Sequence, residues 1–239
     1  MKHENNNSIR CYVTPPFECS YLPGRSATNL VIDPSLELND VLLGALLDLG
    51  FRRSGGHIYR PNCQDCQACI STRVPTDKFI ANRSQRRCLH KNQDLSHSAT
   101  IATFKQEQFE LYCRYLAARH ADSEMNNPSQ EDYMGFLATP GVNTRFHEFR
   151  HQNKLLAVAV VDHTPNGLSA VYTFFDPSQA HRSLGTFTIL WIIQHARSLG
   201  LPWIYLGYWI EACDKMRYKT RFKPCQGYID DNWQQINPV

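Results

Sequence analysis

Apolar positions along the chain change period several times, and each change predicts an element. Residues 18–34 mix Pro, Gly and Ser with short apolar runs, which reads as loop and then a short strand at 28–32. Leu42, Leu46 and Leu49 then recur at helical spacing, with Asn39 or Asp40 placed to cap the helix and Gly50 to end it. FRRSGGHIYR (51–60) is two strand-like pieces about Gly55-Gly56, a hairpin signal. STRVPTDKF (71–79) reads as extended, and the basic run after it leads into polar sequence. Phe109, Tyr112 and Leu116 mark one face of a helix over 105–119, and SQED at 129–132 is a capping-box pattern opening another.

Three strand-like runs follow at 145–150, 154–162 and 168–177. Their connectors, HQN and TPNG, are of hairpin length, so an antiparallel meander is expected. The period then switches. GTFTILWIIQHARSLGL is an apolar helix ending at Gly200, and PWIYLGYWI is a continuous apolar run that predicts a buried strand. Strand, helix and strand make a right-handed crossover. A meander feeding one such crossover predicts an α/β (α+β) protein built on a mixed acyltransferase-type sheet. In that layout the loop DPSQAHRSLGT (176–186) presents backbone N–H groups at a helix N-terminus, a seat for an anionic donor. The change of texture near residue 96 suggests an N-terminal unit over 1–95 and a C-terminal unit over 96–239.

Composition narrows the function. The 239 residues carry a formal charge of only +3, but nine of the 25 Lys and Arg residues lie in two acid-free stretches. One is 82–92, with Arg83, Arg86, Arg87 and Lys91; the other is 215–223, with Lys215, Arg217, Lys219, Arg221 and Lys223. Interleaved Tyr218 and Phe222 suit phosphate contacts combined with stacking on nucleic acid; a solvated surface is the alternative. No apolar run of membrane-spanning length occurs, and MKHENNNSIR lacks the apolar stretch of a signal peptide, which predicts a cytosolic protein with no membrane partner. Nine cysteines in that compartment are expected as thiols or ligands rather than bridges. No Walker loop, HExxH motif or Ser-His-Asp set is legible; His195 lies on the apolar helix and His181 beside the donor loop.

The segments CSYLPGRSAT, LLDLGFRRSGGHIYRPNCQDCQACISTRVP, RSQRR, VYTFFDP, SLGTFTIL and YLGYWIEACDKMRYKTRFKP, in order from residue 11 to 228, together resemble the aminoacyl-tRNA-protein transferases. They are most similar to the bacterial branch that moves leucine onto proteins beginning with Asp or Glu. The resemblance implies leucyl-tRNA as donor, an N-terminal Asp or Glu as acceptor, an N-degron as product, and a Gcn5-related acetyltransferase-type second domain. Arginyl transfer, acyl-coenzyme A acyltransfer on the same fold, and a non-enzymatic zinc- or RNA-binding module stay open as alternatives. Arg182, Ser183, Leu184 and Gly185 stand where an acetyltransferase would have a glycine-rich pyrophosphate turn, so coenzyme A is not expected and a tRNA 3′ end is.

Aminolysis of an activated ester needs an unprotonated amine, orientation and oxyanion stabilisation, and requires no cofactor. Asp176, before Pro177, is a candidate base or amine holder, with a turn-forming role as the alternative; Tyr172 is placed with it at the catalytic centre. An acidic acceptor calls for arginine, for which Arg73 and Arg25 are the candidates, with Ser26 and Thr28 adding hydrogen bonds. Given the resemblance, Tyr208 and Trp209 join Tyr172 at the donor pocket. Lys215, Tyr218, Lys219 and Arg221, extended by Arg83, Arg86 and Arg87, form the tRNA track. Cys63, Cys66 and Cys69 have metal-ligand spacing, and a zinc or iron-sulfur site would take Cys19, Cys11, Cys88 or a histidine as a fourth ligand. The resemblance weakens that reading, since only Cys19 remains where a cysteine pair would be expected; packing thiols are favoured.

Overall fold

The structure is a computed structural model that describes residues 9–119 and 127–236. From the N-terminus come β1 (Cys11–Val13), β2 (Phe17–Glu18), β3 (Ser26–Ala27), β4 (Asn29–Ile32), α1 (Asp40–Asp48), β5 (Arg52–Ser54), β6 (His57–Pro61), β7 (Ile70–Pro75) and α2 (Arg83–Lys91). Next are β8 (Ser96–Ile101), α3 (Gln106–Arg119), α4 (Gln130–Leu137), β9 (Thr144–His151), β10 (Lys154–Thr164) and β11 (Gly167–Phe175). The chain ends with α5 (Leu184–Ser198), β12 (Trp203–Trp209), α6 (Asp214–Arg217), β13 (Gln226–Ile229) and β14 (Asn232–Gln235).

Eight strands form one mixed sheet in the order β14-β13-β7-β12-β11-β10-β9-β8. Among the described residues only β11 and β12 run parallel, joined by α5 as the expected crossover. β10 shows why both faces are covered. Ala157, Ala159 and Val161 turn towards Leu190 and Ile193 of α5, while Val158 and Val160 turn towards Leu111 and Leu116 of α3 and Leu137 of α4. A strand buried on both faces loses its polar alternation, which is how the sequence reads there. A second sheet, β1-β4-β6-β5, packs with α1 against Tyr205 of β12.

Local signals act where they were expected. Asn39 Oδ1 accepts from the Leu42 amide at 2.9 Å to start α1, and Gly50 takes φ +79° after it. Ser129 and Asp132 close a reciprocal capping box on α4. The basic stretch at 83–91 is not simply a lead into polar sequence: it is helix α2, opened by a second box between Asn82 and Gln85. β7 and α2 precede residue 95, yet β7 is an interior strand of the large sheet, between β12 and β13. Arg53 ties the sheets together through a bidentate pair with Asp162 on β10, at 2.7 and 2.8 Å, with both side chains fully buried. Among the described residues no helix is long and apolar enough to cross a membrane.

Candidate active site

β11 and β12 pair only from Gly167 to Ser169, opposite Trp203 to Tyr205. Beyond that point no ladder joins them, and the sheet forks. Arg52 from β5 fills the crotch: its Nη2 donates to the Ala170 carbonyl at 3.1 Å on one arm, and a Cβ on Gly207 of the other arm would lie 3.5 Å from its guanidinium. Glycine there, at φ +87°, lets the guanidinium approach the backbone. Arg52 is 7 % exposed, and its Nη1 is buried without a partner. An N–H deprived of both water and acceptor costs roughly 1–3 kcal/mol, more on a charged group, so Arg52 is a cation waiting for an anion or a carbonyl. Tyr172 Oη and Trp209 Nε1, one from each strand of the fork, are buried and unpaired as well.

The turn after α6, Tyr218–Arg221, packs against β12 and brings Lys219 to this region. Lys219 is 4 % exposed, with its Nζ 3.0 Å from Met216 Sδ and 4.8 Å from the centre of the Tyr218 ring. Burial, and then the charge of Arg52, lower its ammonium to about 7. The sequence placed Lys219 in an exposed phosphate track, but the side chain is turned inward. Lys215, Tyr218 and Arg221 remain exposed, as do Arg83, Arg86 and Arg87 on α2. The two basic clusters meet in space: Gln85 Nε2 donates to the Arg221 carbonyl at 3.0 Å.

A cavity of about 840 Å³ adjoins the fork, with Tyr59, Ser71 and Tyr208 in its wall. Tyr208 Oη donates to the Tyr59 carbonyl at 2.9 Å. Arg25 and Ser26 line the same cavity, where Arg25 is exposed and its Nη1 meets Cys66 Sγ at 3.5 Å. Thr28 spends its hydroxyl on the Asn62 carbonyl. Cys19, Cys63, Cys66 and Cys69 all reach this cavity, so the fold brings Cys19 to the CxxCxxC segment. Burial, then Cys19, Cys63, Cys66 and Cys213, push the Cys69 thiol up to about 12. Among the described residues their sulfurs do not form a set drawn together within 4.8 Å.

Three expected residues are engaged by protein partners. Arg73 is stacked between Trp203 and Trp233, at 3.6 and 4.2 Å, and donates to Asp48 at 3.1 Å and Gln226 at 2.9 Å, so it braces the junction of the sheets and is not in the cavity wall. Arg182 makes a bidentate pair with Asp94 at 2.9 and 2.8 Å, which takes up the charge expected for a phosphate. Asp176 accepts from Ser178 and pairs with Lys154 at 2.8 Å. Burial raises that carboxyl, but Lys154 and Ser178 outweigh it and hold it below the usual carboxylate range. Ser183 takes φ +54° ahead of α5, and Gly185 packs closely on Phe175.

Two models of the arginine-tRNA-protein transferase family match the chain: its N terminus over residues 17–87 and its C terminus over 107–229. The chain belongs to this family. Within it, the chain is 48 % identical to the aspartate/glutamate leucyltransferase of Pseudomonas putida, over 96 % of this chain and 97 % of that one. It is 48 % identical to the enzyme of the same name from Hahella chejuensis, over 97 % and 99 %. Among solved structures, L-PGS from Bacillus licheniformis is similar at TM-score 0.46 and 11 % identity, over 70 % of this chain and 49 % of that one, a likeness too slight to bear on fold or chemistry. This transferase therefore has both family units, and β7 joins the first to the large sheet of the second. Sequence reasoning read residues 51–60 only as a hairpin and did not single out Arg52, because an arginine in a short strand gives no local sign of burial. The one available signal was the unbroken apolar run of β12, which announced a buried partner face.

Proposed function

We propose that this transferase moves the leucyl group of leucyl-tRNA to the α-amine of proteins beginning with Asp or Glu, in the cytosol and without a cofactor. The observation that carries this reading is the full-length 48 % identity to enzymes of that name, combined with a buried guanidinium that keeps one nitrogen unpaired at a forked acyltransferase sheet. The α-ammonium first gives one proton to a base; the free amine nitrogen then attacks the leucyl carbonyl and a C–N bond forms, and the ester C–O bond breaks as the nitrogen's second proton passes to the departing ribose oxygen, leaving an amide and a free tRNA hydroxyl. Arg52 Nη1 suits the oxyanion of the tetrahedral intermediate, since it is fixed by Ala170 and shielded from water. Lys219 is the better-matched base: an amine near 7 can take a proton from an α-ammonium whose ordinary value is about 8, whereas Asp176 is held low and paired. Arg25 receives the acidic side chain of the acceptor in the cavity, and the exposed arginines of α2 with Lys215 and Arg221 take the acceptor stem.

The test is transfer of labelled leucine or arginine from the matching tRNA to peptides starting with Asp, Glu or Ala. Leucine on Asp and Glu peptides alone is expected. Preference for arginine, transfer to Ala peptides at equal rate, or no transfer at all would overturn the reading.

A further inference from the structure

Four histidines that the transfer chemistry does not use gather under the C-terminal half of α5. His147 lies on β9, His163 on β10, His97 on β8 and His195 on α5. The cross-strand neighbours of His147 are Ala99 on one side and Ala159 on the other. Directly opposed residues of antiparallel strands share a face, so these two methyl side chains leave room above the sheet that imidazoles occupy.

We propose that His147, His163 and His195 form a binding site for a first-row divalent cation of the zinc type, separate from the transfer site. The ligand nitrogens of the three all lie within 4.8 Å of one another, and His147 Nε2 is 3.3 Å from His163 Nε2. Tetrahedral zinc with nitrogen ligands at about 2.0–2.1 Å sets them roughly 3.3–3.4 Å apart, so this pair already spans one edge of the tetrahedron. His195 offers the third ligand nitrogen, within 4.8 Å of the other two. His147 Nδ1 is 3.0 Å from His97 Nε2, and a proton on that nitrogen leaves the Nε2 lone pair facing the site, the usual outer support of a metal-binding imidazole. Trp191 stacks on His195 at 4.7 Å and lies 4.2 Å from His97, which fixes both rings and covers one side.

Charge and access agree with this reading. His147 is 1 % exposed, so its imidazole faces the other two rings and not solvent. Arg145 is a nearby cation that opposes a metal, while Asp40 and Asp162 lie close to His163 and act the other way, Asp162 being partly spent on Arg53. His163 and His195 are half-buried, which leaves an entry path and a fourth position for water. Three imidazoles without thiolate or carboxylate suit zinc, copper, nickel or cobalt rather than magnesium or calcium. His195 is eleven residues along α5 from Leu184, about 16 Å of helix axis away from the donor loop. The ion would clamp α5 to β9 and β10 rather than touch the reacting ester.

The experiment uses the full chain, stripped with a chelator and titrated with Co²⁺ and then Zn²⁺. One ion per chain, the visible bands of tetrahedral Co²⁺ with nitrogen ligands, and a Tm rise of several degrees at a hundredfold excess over Kd are expected. His163→Gln and His195→Gln should each abolish the bands and the rise. His97→Gln should weaken affinity roughly 10- to 100-fold and keep the bands. A Cys63→Ser/Cys66→Ser chain should behave as the parent. Circular dichroism of the metal-free variants shows that each is folded. Failure of the parent chain to bind Co²⁺, or bands that survive His163→Gln and vanish in the cysteine variant, would overturn the proposal.

Discussion

Replacing Lys219 by Met should stabilise the protein and cripple it. The lysine is 4 % exposed and its ammonium falls from 10.5 to about 7. At about 1.4 kcal/mol per tenfold, that drop corresponds to roughly 4–5 kcal/mol disfavouring the charged form in the fold. A lysine lowered on folding binds its proton more tightly when unfolded, so its cost is full below pH 7 and fades as pH rises from about 7 to 10.5. Methionine fills a similar volume without the charge. Allowing about 1–2 kcal/mol for altered packing, Lys219→Met should gain about 2–3 kcal/mol at pH 7, roughly 5–10 °C in Tm for a chain of this size. The gain should shrink to about 1 kcal/mol or less at pH 9.5. Urea unfolding of both proteins at pH 7 and 9.5 measures this, and single-turnover leucyl transfer on the same samples should fall at least about 100-fold. A variant no more stable at pH 7, or a gain that does not change with pH, would show that the amine is not desolvated; unchanged transfer would remove it as the base.

Other outcomes follow from the same geometry. Arg73→Ala should lower stability by about 2–4 kcal/mol, because it empties the slot between Trp203 and Trp233 and unpairs Asp48, while the ratio of Asp to Glu acceptors stays that of the parent; thermal melts and competition between the two peptides check both halves. Arg25→Met, on the cavity wall, should raise KM for acidic peptides roughly 10- to 100-fold with Tm within about 2 °C, which a peptide titration would contradict by leaving KM unmoved. Arg86→Gln with Arg87→Gln should weaken tRNA binding and flatten its dependence on log salt by about one to two, read from filter binding at several ionic strengths.

The elements legible in the sequence are those that carry a local code. Asn39, Gly50 and the Ser129–Asp132 box mark helix ends through bonds made within four residues, and the meander and crossover announce themselves through period. α2 escaped because only Gln85 and Cys88 are buried among its nine residues, too few to show a stripe. β8 is an edge strand with almost every side chain exposed, so it has no alternation to read. The site was harder for a different reason. Arg52, Gly207 and Ala170 meet across more than 100 residues of chain, and whether an arginine is a ligand or a brace depends on what lies opposite. Arg73 and Arg53 look alike in sequence to Arg25; only Asp48 and Asp162 tell them apart.

The position of β7 has a consequence for how this protein is made. Its two neighbours are β12 and β13, whose partners for Arg73 lie at Tyr205 and Gln226. A strand emerging from the ribosome with residue 75 therefore has both edges open until more than 130 further residues have been synthesised. Such contacts are slow to find, and unpaired edges invite other chains. Splitting the gene between the two family units would strand β7 on the wrong fragment. Cells that express this protein quickly should lose much of it to aggregation, and slower synthesis or a holding chaperone should recover it.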